Sequence, residues 1–200
     1  MACKDWCHLN PLMEAYHDKE WGVPAHDDQK QFEFLMMEAL QCGLSWNLIL
    51  QKREILRRCF AGFDPVKVAA FDERDVARIM ETEGMIRSPR KIRAVISNAR
   101  AFLAVAHEFG SFSRYLWQFT GGVTCLYKGH KEGHIPASNG LSTRISQDLR
   151  KRGFSYLGPV TVYSHLQACG IINDHDASCP RYQKILSMGP TREMPPDQES

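Results

Sequence analysis

This chain lacks charge imbalance, long apolar runs, internal repeats and any sustained strand pattern. Lysine and arginine total 25 against 23 aspartate and glutamate, a formal net charge of +2 over 200 residues. A balance that mild permits nucleic-acid binding through a local patch without arguing for it. No stretch approaches 18 consecutive apolar residues, so no transmembrane helix and no membrane partner are expected. The opening "MACKDWCHLN" has no apolar core and does not read as a signal peptide. Period-two alternation is sustained nowhere. The seven cysteines, Cys3, Cys7, Cys42, Cys59, Cys125, Cys169 and Cys179, are an odd count without a secretion signal. That points to a reducing cytosol, not a disulfide scaffold. Cys42, Cys59 and Cys169 sit among apolar neighbours and read as buried free thiols.

What is present is helical periodicity over a hydrophobic content of 44%. "KQFEFLMMEAL" (30–40) spaces Phe34, Met37 and Leu40 as a helix does, and "SWNLILQKREILRRCF" (45–60) follows after Gly43. In "FDPVKVAAF" Asp64 caps a helix that Pro65 opens. "DERDVARIMETEG" closes at Gly84. The clearest helix is "SPRKIRAVISNARAFLAVAHEFG", capped by Ser88 and opened by Pro89, with Ile92, Ile96, Ala99, Leu103 and Ala106 at intervals of three or four. Another helix starts at Ser111. Five glycines mark residues 120–140 as loop. Two more helices end at Gly153 and before Gly170. The expected fold is all-α, roughly eight to ten helices with boundary errors of a few residues. Residues 1–184 form one domain of two closely packed helical lobes. "ILSMGPTREMPPDQES" (185–200) lacks periodicity and reads as a disordered tail.

Four elements carry candidate chemistry. In "IINDHDASC" (171–179), His175 and Cys179 are four residues apart, so a helical turn would put both on one face, as half of a tetrahedral metal site. Cys3, Cys7, His8 and His17 near the N-terminus can supply the rest. Cys3, His17, His175 and Cys179 would make a saturated zinc set that clips the two terminal segments together. Second, Trp6, Tyr16, Trp21 and Trp46 cluster in the first quarter of a chain with only four tryptophans. Flat rings of this kind can sandwich a nucleobase, or simply pack. Third, Glu38 lies among apolar residues in "FLMMEALQCGLSW" and is either solvent-facing or a pocket carboxylate. Fourth, "KRGFSYLGPVTVYSHLQACG" (151–170) reads as a basic helix end, a turn with Gly153 and Gly158, and a second helix. This helix-hairpin-helix layout lets backbone N–H groups and a helix N-terminus approach DNA phosphate.

Together, "YHDKEWGVP", "GLSWNLILQKR", "FDPVKVAAF", "KIRAVISNARAF" and "RGFSYLGPVTVYSHLQACGIINDH" resemble the bacterial 3-methyladenine DNA glycosylase I family from about residue 3 to residue 179. The resemblance implies the helix-hairpin-helix DNA glycosylase fold with a structural zinc, one per chain, joining the N- and C-terminal segments. It implies Glu38 and Tyr16 as groups that bind the extruded base, Trp46 stacked on it, Trp6 opposite and Trp21 at the pocket edge. His17, His175 and Cys179 fall on zinc-ligand positions. The family's N-terminal ligand is a cysteine two residues before the tryptophan. Here Lys4 holds that position, so Cys3 is expected to serve, with Cys7 as its rival.

The activity implied is hydrolysis of the N-glycosidic bond of 3-methyladenine in double-stranded alkylated DNA, leaving an abasic site. The pocket segments hold no obvious lysine nucleophile, so no Schiff base and no strand cleavage are expected. Glu38, ionised, would accept from the exocyclic amine and favour a cationic purine. Gly158 and the basic helix end, Arg150, Lys151 and Arg152, are the expected phosphate contacts. A zinc set remote from the base pocket, a monomer, and a bacterial cytoplasmic, nucleoid-associated location complete the expectation. Two rivals stand beside it. One is a zinc hydrolase, which needs an open metal position; the other is a DNA-binding module that binds without releasing a base.

Overall fold

The computed structural model describes residues 6–195. Among them are ten α-helices: α1 Pro11–Lys19, α2 Asp28–Gln41, α3 Trp46–Cys59, α4 Pro65–Ala69, α5 Glu73–Glu81, α6 Pro89–Phe109, α7 Phe112–Trp117, α8 Gly140–Lys151, α9 Pro159–Ala168 and α10 Pro180–Leu186. The starts are chemically marked. Asn10, Asp27, Ser45, Asp64, Asp72, Ser88, Ser111 and Asn139 each accept a backbone N–H of the helix that follows. The expected caps at Asp64 and Ser88 are thus in place.

Helix α2 is the axis of the fold. Every residue from Gln31 to Leu40 is buried, the charged Glu33 and Glu38 included. A helix covered on all sides carries no polar stripe, so periodicity reveals its existence but not which face matters. It packs against α3, α6, α7 and α9, and α6 in turn covers α4 and α5. Phe32, Phe63, Phe102 and Phe112 fill the space between. Asn98 of α6 ties this half to the α8–α9 turn: its amide oxygen accepts from Ser155 N at 2.9 Å and its amide nitrogen donates to Ser155 O at 3.0 Å.

The two ends of the chain meet. The stretch after α1 runs along the end of α9, with Gly22 N donating to Gln167 O and Ala25 N to Cys169 O. Gly170 has φ +75°, and a Cβ there would lie 2.6 Å from Gly22 O and from Pro24 N. Only glycine fits both the conformation and the backbone contact.

Three sequence expectations need correction. The chain is mostly but not wholly helical: β1 (Thr124–Tyr127) pairs in parallel with β2 (Thr191–Met194), in register Thr124↔Thr191 to Tyr127↔Met194. The tail expected over 185–200 is therefore structured through α10 and β2; residues 196–200 lie outside the described residues. Strand β2 is largely exposed and polar, so no alternation announces it. Its backbone is held by β1, and Lys128 N adds a bond to Met194 O. Of the cysteines read as buried, Cys59 and Cys169 are, whereas Cys42 is half-exposed beside Tyr156 O.

Candidate base-binding cavity and metal cluster

Trp6, Tyr16, Trp21, Glu38 and Trp46, five residues singled out on sequence, line one cavity of about 460 Å3. That size suits a small planar ligand. Tyr16 comes from α1, Glu38 from the core helix α2, and Trp46 from the first turn of α3, held by the Ser45 cap. Ile135, Pro136 and Ala137 of the loop before α8 and Val160, Tyr163, Ser164 and Gln167 of α9 contribute to the rest of the lining. The Tyr16 and Trp46 rings are 5.3 Å apart at 56°, Trp6 and Tyr16 6.3 Å at 47°, and Trp6 and Trp21 5.2 Å at 86°. No lysine lines the cavity among the described residues.

Glu38 is 4% exposed, and its Oε2 is buried without a hydrogen-bond partner among the described residues. The indole Nε1 of Trp46 is in the same condition. Burial, unopposed by any cation, pushes the Glu38 carboxyl up to about 8. With no positive partner to offset the desolvation the neutral acid is favoured at pH 7; the ionised Glu38 expected on sequence belongs to the state with a cationic base beside it. Tyr16 is raised well above its usual phenol value, first by burial and then by the nearby Glu38. An acceptor and a donor left unpaired within an aromatic cage are the groups a polar, flat, cationic ligand would satisfy.

One aromatic layer away lies a metal-type cluster. The donor atoms of His17, His175 and Cys179 all fall within 4.8 Å of one another. Cys179 Sγ is 3.7 Å from His17 Nε2 and 3.6 Å from His175 Nδ1. The far nitrogen of each ring is anchored: His17 Nδ1 is 2.8 Å from Asp18 Oδ1, and His175 Nε2 is 3.1 Å from Trp21 O. A carboxylate or carbonyl can only accept, so each ring places its N–H there and turns a lone pair toward Cys179. Burial first of all holds His175 down, to about 4, which keeps it neutral. The donor set therefore fits a soft or borderline cation such as zinc. Cys7 lines an adjoining cavity with His17 and Cys179 but is not part of the cluster. Cys3 lies outside the described residues. The expectation of a cluster remote from the base pocket is corrected. Trp21 packs on His175 at 4.5 Å and Trp6 on His17 at 5.5 Å, and both tryptophans also line the cavity.

The third group of predicted residues lies on the α8–α9 turn. Gly153 has φ +91° and Tyr156 φ +60°, so the chain reverses tightly before α9. Gly158 precedes Pro159 as the N-cap, is exposed, and has nothing within 4 Å of a hypothetical Cβ. Arg150 and Lys151 are exposed. Arg152 is not free: it donates to Asp148 at 2.7 Å and to Glu108 at 2.7 and 3.3 Å, and lies over the Phe109 and Tyr115 rings. Its guanidinium fastens the end of α8 to α6 and α7, an arrangement that a run of basic residues does not disclose.

Residues 6–182 match the family described as methyladenine glycosylase. The chain is 44% identical over 177 residues to DNA-3-methyladenine glycosylase 1 of Escherichia coli, covering 88% of this chain and 95% of that protein. It is 38% identical over 175 residues to the DNA-3-methyladenine glycosylase of Haemophilus influenzae, with 88% and 95% covered. A solved structure of 3-methyladenine DNA glycosylase I from Staphylococcus aureus, on the recognition of 3-methyladenine, superimposes with a TM-score of 0.83 at 33% identity. It covers 90% of this chain and 97% of that one.

Proposed function

Since the chain belongs to the methyladenine glycosylase family, we propose that it is a base-excision repair enzyme that releases 3-methyladenine from alkylated DNA. The observation that carries this reading is the unpartnered Glu38 carboxyl inside the Trp6, Tyr16, Trp21 and Trp46 cage. Alkylation at N3 makes adenine a cationic and therefore good leaving group. The enzyme's task is to extract the nucleotide, hold it, and favour departure of the base. Extraction costs a few kcal/mol, and stacking returns roughly 1–3 kcal/mol per base. Entry of the cation draws the proton off Glu38, so an acid that is neutral in the empty cavity becomes a carboxylate facing positive charge. Neutral adenine provides no such pull, and selectivity follows. Among the described residues no lysine lines the cavity to attack the sugar, which favours hydrolysis that leaves an abasic site.

Double-stranded DNA approaches across the α8–α9 turn. Backbone N–H groups at Gly158 and the N-terminus of α9 serve as phosphate contacts, with Arg150 and Lys151 beside them. The protein acts as a monomer, in the bacterial cytoplasm where its substrate is; no described helix is long and apolar enough to cross a membrane. His17, His175 and Cys179 would hold one zinc, with Cys3 as fourth ligand; a saturated set leaves no open position for chemistry, so the metal would serve as a cross-link between the segment after α9 and α1.

Incubation with N-methylated DNA followed by chromatography of the released bases tests the function. Free 3-methyladenine with intact strands is expected; binding to DNA with no base released would refute it. Metal analysis of the purified protein tests the cluster: one zinc per chain is expected, and a zinc content that survives Cys3→Ser but not Cys7→Ser would assign the fourth ligand to Cys7.

A further inference from the structure

The part of the cavity lining drawn from α9 and the loop before α8 is organised by one buried carboxylate. Asp174 is 1% exposed and does not line the cavity, yet it receives three hydrogen bonds. Tyr163 Oη donates to its Oδ2 at 2.7 Å, Gln167 Nε2 to the same oxygen at 2.8 Å, and His130 Nδ1 lies 2.6 Å from Oδ1. Tyr163 and Gln167 are four residues apart on α9, hence on one face, and that face lines the cavity. His130 begins the segment that continues to Ile135, Pro136 and Ala137, also in the wall. One anion thus fastens three parts of the same surface.

The consequence falls on Gln167. A carboxylate accepts only, so the end of the amide that faces Asp174 must be the nitrogen. The amide oxygen is then the free end. It has no hydrogen-bond partner among the described residues, and it is not among the polar atoms sealed from solvent. Gln167 is half-buried and lines the cavity, so this oxygen is an acceptor available to whatever occupies it. Without Asp174 the amide could turn over and present its donors instead, which a cationic purine rich in N–H groups would not match.

We infer that Gln167 is a further base-contacting residue, accepting a hydrogen bond from the alkylated purine, and that Asp174 is the positioning residue that sets its amide. The inference rests on the excision reading above.

The test is binding of free 3-methyladenine to the zinc-loaded full chain, measured by titration calorimetry for Gln167→Met, Asp174→Asn and the double variant. Gln167→Met keeps the length of the side chain and should weaken binding by about fivefold or more, with zinc content and affinity for an abasic-site duplex unchanged. Asp174→Asn should also weaken binding, but by clearly less in the Gln167→Met background than in the wild type, because the amide it sets is gone and only its hold on Tyr163 and His130 remains. A purely structural Asp174 would weaken binding equally in both backgrounds, so losses that multiply overturn the positioning role. If Asp174→Asn does not fold, Gln167→Met still decides the contact. Wild-type affinity in Gln167→Met overturns it, while release of 3-methyladenine by the wild type leaves the function standing. A wild type that releases no base overturns the function itself.

Discussion

Glu33 and Glu38 lie five residues apart on the same helix, both buried, in opposite electrostatic situations. Glu33 Oε1 accepts from Arg53 Nε at 2.7 Å and Arg57 Nε at 2.8 Å. Arg53 also clasps Glu20 with both terminal nitrogens, at 2.6 and 2.8 Å, and Lys30 adds a third cation at 2.6 Å from Glu20. Burial alone would raise both acids, but these contacts win: Glu20 is held down to about 2, and Glu33 is lowered. Glu38 has no such cation and rises to about 8. Folding therefore pairs the first two carboxylates and leaves the third unpaired beside a cavity. Stability alone would not select the second arrangement, since an isolated buried acid costs free energy whether neutral or charged. Glu38 makes sense as a group whose partner arrives with the substrate.

The largest effect should come from breaking the paired region. Arg53→Ala leaves Glu20 with Lys30 alone and Glu33 with Arg57 alone, and should destabilise by about 3 kcal/mol, the lower end for removing one member of a buried ion network. The signature is pH dependence. Carboxylates with lowered folded-state values contribute stability that is present above about 4.5 and lost as the pH falls toward 2. Denaturant titrations of wild type and Arg53→Ala should therefore differ most near neutrality and converge in acid. A constant difference across that range would mean the network is not what Arg53 supplies.

The unpaired region should respond with the opposite sign. For a carboxyl raised from 4.5 to about 8, the favourable contribution is fully present below 4.5 and is lost as the pH climbs through 8. Glu38→Gln removes the titration, so the variant should be more stable than wild type at pH 9, on the order of 3 kcal/mol, and nearly equal to it at pH 4. The same substitution should lower 3-methyladenine release by at least about tenfold, roughly 1.4 kcal/mol in the barrier. A variant less stable at pH 9, or one with wild-type excision, would erase the contrast between the two acids.

A smaller effect should come from a site that touches neither carboxylate. Gly158→Val adds a side chain where nothing lies within 4 Å, so stability should barely change. Its bulk would hold phosphate off the turn and weaken all duplexes about fivefold, roughly 1 kcal/mol. Loss of affinity for one sequence only, in a gel-shift series, would contradict contact through the backbone.

These regions were not equally legible in the sequence. The Ser88–Pro89 and Asp64–Pro65 starts were readable because capping is local chemistry. The aromatic cage and the His17, His175 and Cys179 cluster were legible as residue types, but their closeness was not. Trp21 serving both sites depends on Gly170, which lets the stretch after α1 lie against the end of α9. Asp174 reads on sequence as a neighbour of His175, and only three-dimensional structure turns it toward Tyr163 and Gln167. Arg152 fails as a free phosphate ligand for the same reason: Glu108, 44 residues away, claims it.

Glu38 can be tested most directly by following its carboxyl carbon, isotope-labelled, through a pH titration by NMR, with and without free 3-methyladenine. The empty protein should titrate near 8, and saturation with the base should pull the midpoint down by more than one pH unit, as a cation or N–H donor beside a carboxylate requires. A Glu38 that titrates near 4.5 in the empty protein, or whose midpoint does not move when the base binds, would contradict the account.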